Sequence, residues 1–314
     1  MNRSGTHERP KTGLLILAFL AIHVIWGSTF LAIRVAIESI PPLLMMSARH
    51  VVAGILLFAY MRLRGEAAPP RSAWKPAVVA GALCFLGSHG LLAWAEQRVS
   101  SGMAALLVSL EPVIMVLLAR RAKQEGTISG RTIVGLILGI AGVAVLMPID
   151  TRAETIAVAA LLLGGTLWSV GAIYARGAAS GVSSGMFSAM QMLSGGVLLL
   201  TVGTGFGERV QLGSVSLRSV VALGYLIVFG SVITFSAYTW LMRVSTAARV
   251  GTHAYVNPII AVWLGWELGG EAVTARMLIG AAIVLASVLL VNQAESGKTV
   301  TLGSGEVKAE AAAD

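Results

Sequence analysis

Charge is scarce in this chain of 314 residues: 15 Asp and Glu and 23 Lys and Arg amount to 12% of it. An ordinary soluble domain carries about 25%, so a water-facing globular surface is excluded. Cysteine is scarcer still. The single Cys84 rules out an intrachain disulfide and, lying in an apolar run, says nothing of redox compartment. No His, Cys, Asp or Glu cluster has metal-ligand spacing and no nucleophile has a base to match, which argues against a metal site, a cofactor or an intramembrane enzyme. No connection between apolar runs could fold as a domain, which argues against a receptor. The net charge of +8 would suggest nucleic acid in a soluble protein, but no basic run with interleaved aromatics is present. Asn292-Gln293-Ala294-Glu295-Ser296-Gly297-Lys298-Thr299 resembles the end of a phosphate-binding loop, yet Asn292 stands where glycine is required and no strand precedes it. An in-chain ATPase is thereby excluded.

What the chain has is apolar length. It is 56% hydrophobic with a mean hydropathy of +0.82, and a membrane helix needs about 20 mostly apolar residues. Ten such runs fit, at 13 to 34, 42 to 62, 75 to 96, 101 to 120, 130 to 149, 155 to 175, 184 to 204, 218 to 241, 246 to 266 and 274 to 293. The reading is an all-α integral membrane protein in a lipid bilayer. The first run follows Arg3, Arg9 and Lys11 as a secretory signal would, but extends from about Thr12 to Ile37 and is too long for one, so it reads as an uncleaved helix. Residues 1 to 12 form an N-terminal tail, and 295 to 314, rich in Gly, Ser, Ala and Glu, are expected to be a disordered C-terminal tail. Of the 23 Lys and Arg, 16 fall on the side of the termini, six on the other, and Arg49 lies within the second run. Basic connections stay in the cytoplasm, so both termini are expected there.

The chain is organised around Glu111-Pro112 and Asn257-Pro258, each in the middle of an apolar run. A proline inside a helix removes a backbone hydrogen bond and crowds the carbonyl four residues back, here that of Val108 or Ala254. In lipid, such breaks are tolerated where protein or a cavity re-satisfies the backbone. The two sites are one position seen twice. Trp94 and Trp240, Glu111 and Asn257, Pro112 and Pro258, and Glu125 and Glu271 are each 146 residues apart. Two five-helix repeats, 13–149 and 155–293, follow. Five is odd, so the second enters the membrane from the opposite side, an inverted repeat with its binding site near the midplane.

Glu111 is the one acidic residue near the middle of a span. A bare charge there costs about 2.5–3.5 kcal/mol on insertion scales, so buried acids tend to face cavities. It reads as a proton carrier or as a counter-charge for an amine, against a neutral acid bonding the carbonyl freed by Pro112. His253 and Asn257, at i and i+4, share a helix face. Asn257 reads as cavity lining, His253 equally as a cross-helix hydrogen bond. Ser231, Thr234 and Tyr238 form a polar stripe on the eighth helix, either lining or interhelical glue. The third helix carries Ser88, His89, Trp94, Glu96 and Gln97, the last two expected at the outer surface. Trp94 and Trp240 read as interface anchors or gate aromatics. Arg49 and His50 are unusual inside a span, and Arg49 is expected to snorkel or pair. Gly135 and Gly139 form a close-packing face, within one chain in preference to between chains.

Ten helices as five plus five, Trp26-Gly27-Ser28-Thr29 in the first, runs of small residues into proline in the fourth and ninth, and the ending Gly265-Trp266-Glu267-Leu268-Gly269-Gly270-Glu271 resemble the EamA family of the drug/metabolite transporter superfamily over residues 12 to 293. Arg120-Arg121-Ala122-Lys123-Gln124-Glu125 departs from the apolar ending of the ninth helix. The resemblance implies an inner-membrane carrier exporting small metabolites, amino acids or drug-like solutes through a central cavity. It adds Trp26 and Trp168 as cavity aromatics, with Ser28 and Thr29 beside the first; from the residues alone, packing is the better reading of both tryptophans. The implied mechanism is alternating access around helices 1, 3, 4, 6, 8 and 9, proton-linked or facilitative. A lipid flippase shares this architecture.

Overall fold

The computed structural model describes residues 12–121, 130–147, 152–178, 181–245, 247–250 and 252–310. Ten helical segments follow one another. They are α1 (Thr12–Ala36), α2 (Pro42–Leu63), α3 (Arg71–Ala95), α4 (Ser101–Val108, resuming as Glu111–Arg121), α5 (Gly130–Leu146), α6 (Arg152–Ala178) and α7 (Ser184–Gly205). α8 runs Leu217–Tyr225, Leu226–Ile233 and Thr234–Val244 without interruption, α9 is His253–Glu267 after a single turn at Ala247–Val250, and α10 is Ala275–Glu310. Seven are long and apolar enough to cross a membrane; Ser101–Ile114 and α5 are shorter apolar helices. Among the described residues there is no strand. The membrane-crossing part of α10 ends at Gln293, and the helix continues over residues assigned by sequence to the tail. Residues 1–11, 122–129 with Lys123 and Glu125, and 311–314 lie outside the described residues.

The helices pair as a two-fold exchange of the repeats demands. α2 packs along α7 and α5 along α10, each helix against its own repeat-mate. α3 meets α6 as α8 meets α1, and α4 meets α6 as α9 meets α1. Glycines set the closest crossings. Ser287 Oγ donates to the Gly135 carbonyl at 2.6 Å, and a Cβ on Gly135 would stand 2.6 Å from Val291 Cγ2, so the Gly135/Gly139 face is spent within the chain, between α5 and α10. At the α3–α7 crossing, Gly81 and Gly195 leave backbone against backbone.

Three helices carry π turns, which hold one residue more than an α turn and collect at functional sites. They lie at Ala21–Ile25 in α1, Ala82–His89 in α3 and Leu226–Ile233 in α8. Those in α3 and α8 occupy matching places in the two repeats. The two prolines are accommodated differently. α4 pauses at residues 109–110 and restarts at Glu111, so Pro112 sits in a first turn where its missing N–H costs little. Ser109 Oγ takes up the Leu106 carbonyl at 2.7 Å. Pro258 instead lies inside α9, whose break comes earlier, ahead of His253.

Candidate functional site

Two polar clusters lie between the repeats, and the middle of α8 joins them. The first gathers on α2, α3, α4, α6 and α8. His89 Nδ1 and His50 Nε2 share a hydrogen bond of 2.9 Å. Trp168 stacks on His89 with centroids 5.1 Å apart and planes 10° from parallel, and Phe85 packs edge-on to both. The Trp168 indole N–H faces the Glu111 carboxyl group. Next to His50 along α2, Arg49 is buried and its Nε donates to Ser231 Oγ at 3.0 Å. The terminal guanidinium nitrogens of Arg49 have no hydrogen bond to the described residues. Arg49 neither snorkels nor forms an ion pair among them. A charged fork held dry by one hydroxyl is suited to receive an anion in the plane of its N–H groups.

The second cluster lies on α1, α8 and α9. Trp26 sits 5.3 Å from Tyr238 and 5.2 Å from His253 between centroids, and its indole N–H donates to the Gly230 carbonyl at 3.3 Å. His253 donates from Nδ1 to the Val250 carbonyl at 2.8 Å, a bond within its own segment. His23 donates from Nδ1 to the Phe19 carbonyl at 2.7 Å and shares a 2.8 Å hydrogen bond with Thr252. Asn257, with its amide set to match its surroundings, donates to the carbonyls of His23 at 2.9 Å and Ile22 at 3.0 Å. Those carbonyls belong to the π turn of α1. Asn257 therefore ties α9 to the irregular stretch of α1, where the sequence suggested cavity lining. Pro258 is buried directly after it.

The two halves of the proline motif thus reach equivalent helices, one in each repeat. Asn257 binds Ile22 of α1, and Glu111 faces Trp168 of α6, where 168 is 22 shifted by the 146-residue repeat. We expect Asn257→Leu to destabilise the fold by about 1–3 kcal/mol, the range for buried acceptors that lose their donor. Asn257→Gln should recover part of that loss. Thermal unfolding in detergent reads both.

The stripe on α8 does not face one space. Ser231 serves Arg49, Thr234 donates to the Phe229 carbonyl inside its own π turn at 2.7 Å, and Tyr238 belongs to the second cluster. Ser28 Oγ lies 2.6 Å from Tyr225 Oη, and Thr29 donates to the Trp26 carbonyl at 2.6 Å. Trp94 stands under the Arg98 guanidinium, 4.0 Å from its ring centroid. Trp240 packs beside the apolar cluster of Ala18, Ile22, Leu241 and Val250.

Glu96 corrects the sequence reading. Expected at a surface, it is 0% exposed. The cause is Arg34, whose guanidinium donates to the carbonyls of Glu96 at 2.5 Å and Val99 at 2.7 Å and so draws the turn after α3 onto the bundle. Arg34 also pairs with Glu271 at 3.5 Å. The Glu271 carboxylate accepts the N–H groups of Ser101 at 2.8 Å and Gly102 at 3.2 Å, the first turn of α4. A carboxylate on a helix N-terminus is favourably placed. Arg34, Glu96 and Glu271 thus tie together α1, α3, α4 and the α9–α10 connection. Glu271 was visible in the sequence as a repeat-mate, but nothing local joined it to Arg34.

The model of the EamA-like transporter family matches residues 13–147 and 155–293. The Escherichia coli K12 "Uncharacterized inner membrane transporter YedA" is 36% identical over 282 residues, covering 87% of this chain and 89% of its own length. "Uncharacterized transporter YvbV" of Bacillus subtilis is 26% identical, with 96% of this chain and 99% of that one covered. One crystal structure shares the fold at a TM-score of 0.64 and 21% identity, over 90% of this chain and 98% of the other.

Proposed function

This chain belongs to the EamA-like transporter family, and from that premise we propose that it is an inner-membrane secondary transporter, with both termini cytoplasmic, that exports small solutes by alternating access. The repeats rock against each other around the seam formed by Arg49, His50, His89, Trp168 and Glu111. That seam is the observation that carries the reading: five polar or aromatic side chains from four helices, with a cation at one end and a carboxyl group at the other. Arg49 would receive a substrate carboxylate, Glu111 would face an amine, and the stacked His89 and Trp168 would hold the body of the molecule. A seam that carries both a cation and a carboxyl group suits amino-acid-like metabolites better than purely cationic drugs.

Glu111 is also the group through which a proton could be exchanged for substrate. The test is efflux from proteoliposomes across a panel of amino acids, organic cations and organic acids, with and without an imposed pH gradient. Glu111→Gln is expected to abolish gradient-driven efflux while Arg49→Lys lowers affinity for carboxylate-bearing substrates at least about tenfold, the cost of roughly one charge-assisted hydrogen bond. Gradient-driven efflux at the normal rate in Glu111→Gln would overturn the proton role. Movement of labelled phospholipid, with none of the solutes transported, would favour a flippase instead.

A further inference from the structure

Glu96 is the group that neither the fold nor the seam accounts for. Both of its carboxyl oxygens are buried and make no hydrogen bond. The charged groups within electrostatic reach are Arg34 from α1, Arg49 from α2 and Glu271 from the α9–α10 connection. Arg98, two residues on, is exposed and lies over Trp94, and the Ser101 hydroxyl at the start of α4 is itself buried and unpartnered. Arg34 is engaged elsewhere. It spends its hydrogen bonds on the Glu96 and Val99 carbonyls and its ion pair on Glu271, while Arg49 is turned to Ser231. An ionised carboxylate in a dry site without a donor is strongly disfavoured. Here one guanidinium, Arg34, acts on two carboxyl groups and pairs only with Glu271.

We infer that Glu96 is a proton-binding site that controls the latch formed by Arg34 and Glu271. While the latch is shut, Glu96 holds a proton and makes no claim on Arg34. When the proton leaves to water at this end of the bundle, the new carboxylate draws Arg34 from Glu271. Glu271 then loses its cation, the N-terminus of α4 loses its tie to α1, and the end of the bundle opens. No bond other than the O–H bond of Glu96 breaks, and return of the proton reverses the sequence. The inference rests on the transporter reading for its purpose, since it supplies the coupling of proton to gate, but the latch is measurable without any substrate.

The experiment uses Ser101→Cys as a reporter buried beneath the latch, in a chain whose single native cysteine is replaced by Cys84→Ser. Membrane vesicles are exposed to a membrane-impermeant maleimide at a series of external pH values. Labelling, taken at each pH relative to that of the same cysteine in denatured protein so that thiol ionisation cancels, should rise with pH, about tenfold per pH unit on the acid side of the midpoint if loss of one proton opens the latch. With Glu96→Gln, which keeps the shape of the protonated acid, labelling should stay at the acid level throughout. Glu96→Asp should keep a pH dependence with a displaced midpoint. Three results would overturn the inference: a flat profile in the reporter with native Glu96, an unaltered profile in Glu96→Gln or Glu96→Asp, or Glu96→Gln labelled at the alkaline level. A pH-gated latch in a protein that moves no solute would leave this site standing and remove the transporter reading.

Discussion

Gly81→Val is expected to leave little folded protein in the membrane. A Cβ at position 81 would stand 2.6 Å from the Gln191 carbonyl oxygen and 2.8 Å from the Gly195 amide nitrogen, both backbone atoms of α7. Side chains can swing away from such a contact and backbone cannot, so α3 and α7 must separate along their length. Overpacking a core costs about 1–3 kcal/mol and sometimes more; a rigid clash of this kind belongs at or above the top of that range, against a total stability of about 5–15 kcal/mol. The separation would also shift the neighbouring Phe85, which lies against Gly195 and beneath His50 and His89. Gly224→Val is the control, since nothing stands within 4 Å of a Cβ there. Yield and melting temperature of the detergent-purified variants should separate the two. Equal behaviour would mean that the helices do not cross at the glycines.

Arg34→Ala is expected to leave the α4 end of the bundle open. It removes the 3.5 Å ion pair to Glu271 and two charge-assisted hydrogen bonds to backbone carbonyls. Hydrogen bonds from charged groups contribute about 1.5–3 kcal/mol each. The Arg34 side chain is 38% exposed, so solvent screening reduces the ion-pair share. A net loss of about 2 kcal/mol would move the balance between shut and open roughly thirtyfold. The Ser101→Cys reporter should then label rapidly at every pH, and solute movement should lose directionality. Slow, pH-dependent labelling in Arg34→Ala would show that some other contact shuts this end.

Much of this was legible in the sequence for physical reasons. Membrane helices declare themselves by apolar length, and the ten runs match the ten helical segments. The 146-residue spacing of Glu111-Pro112 and Asn257-Pro258 carried the internal symmetry because a proline in an apolar helix is costly enough to be kept where it is needed. The Gly135/Gly139 face was also readable, since small residues four apart permit close approach and the nearest helix is the one in the same chain.

What failed was facing. A π turn leaves no signature in hydrophobic periodicity, so Ser231, Thr234 and Tyr238 looked like one stripe when the backbone between them changes phase. Asn257 was read as cavity lining for a related reason: the carbonyls it binds lie in the irregular stretch of α1 at Ala21–Ile25, which periodicity does not reveal. Glu96 looked like a surface acid because its burial is imposed by a residue 62 positions earlier. Such a contact is set by the approach of two helix ends, which composition does not encode.

The π turns bear on how this gene tolerates small lesions. Each behaves as one surplus residue in an otherwise regular helix, so loss of a single codon within 82–89 could be absorbed locally by reverting the stretch to ordinary α geometry. Residues on either side would keep their faces, whereas a deletion elsewhere in the helix would turn everything beyond it by about 100°. Trp94 and Glu96 would stay at the interface, and what is lost is the placing of Phe85 and His89, the seam residues within the turn itself. In-frame single-codon deletions across 82–89 and 226–233 should therefore give chains that insert normally yet do not gate, whereas the same deletion elsewhere in α3 or α8 should prevent assembly.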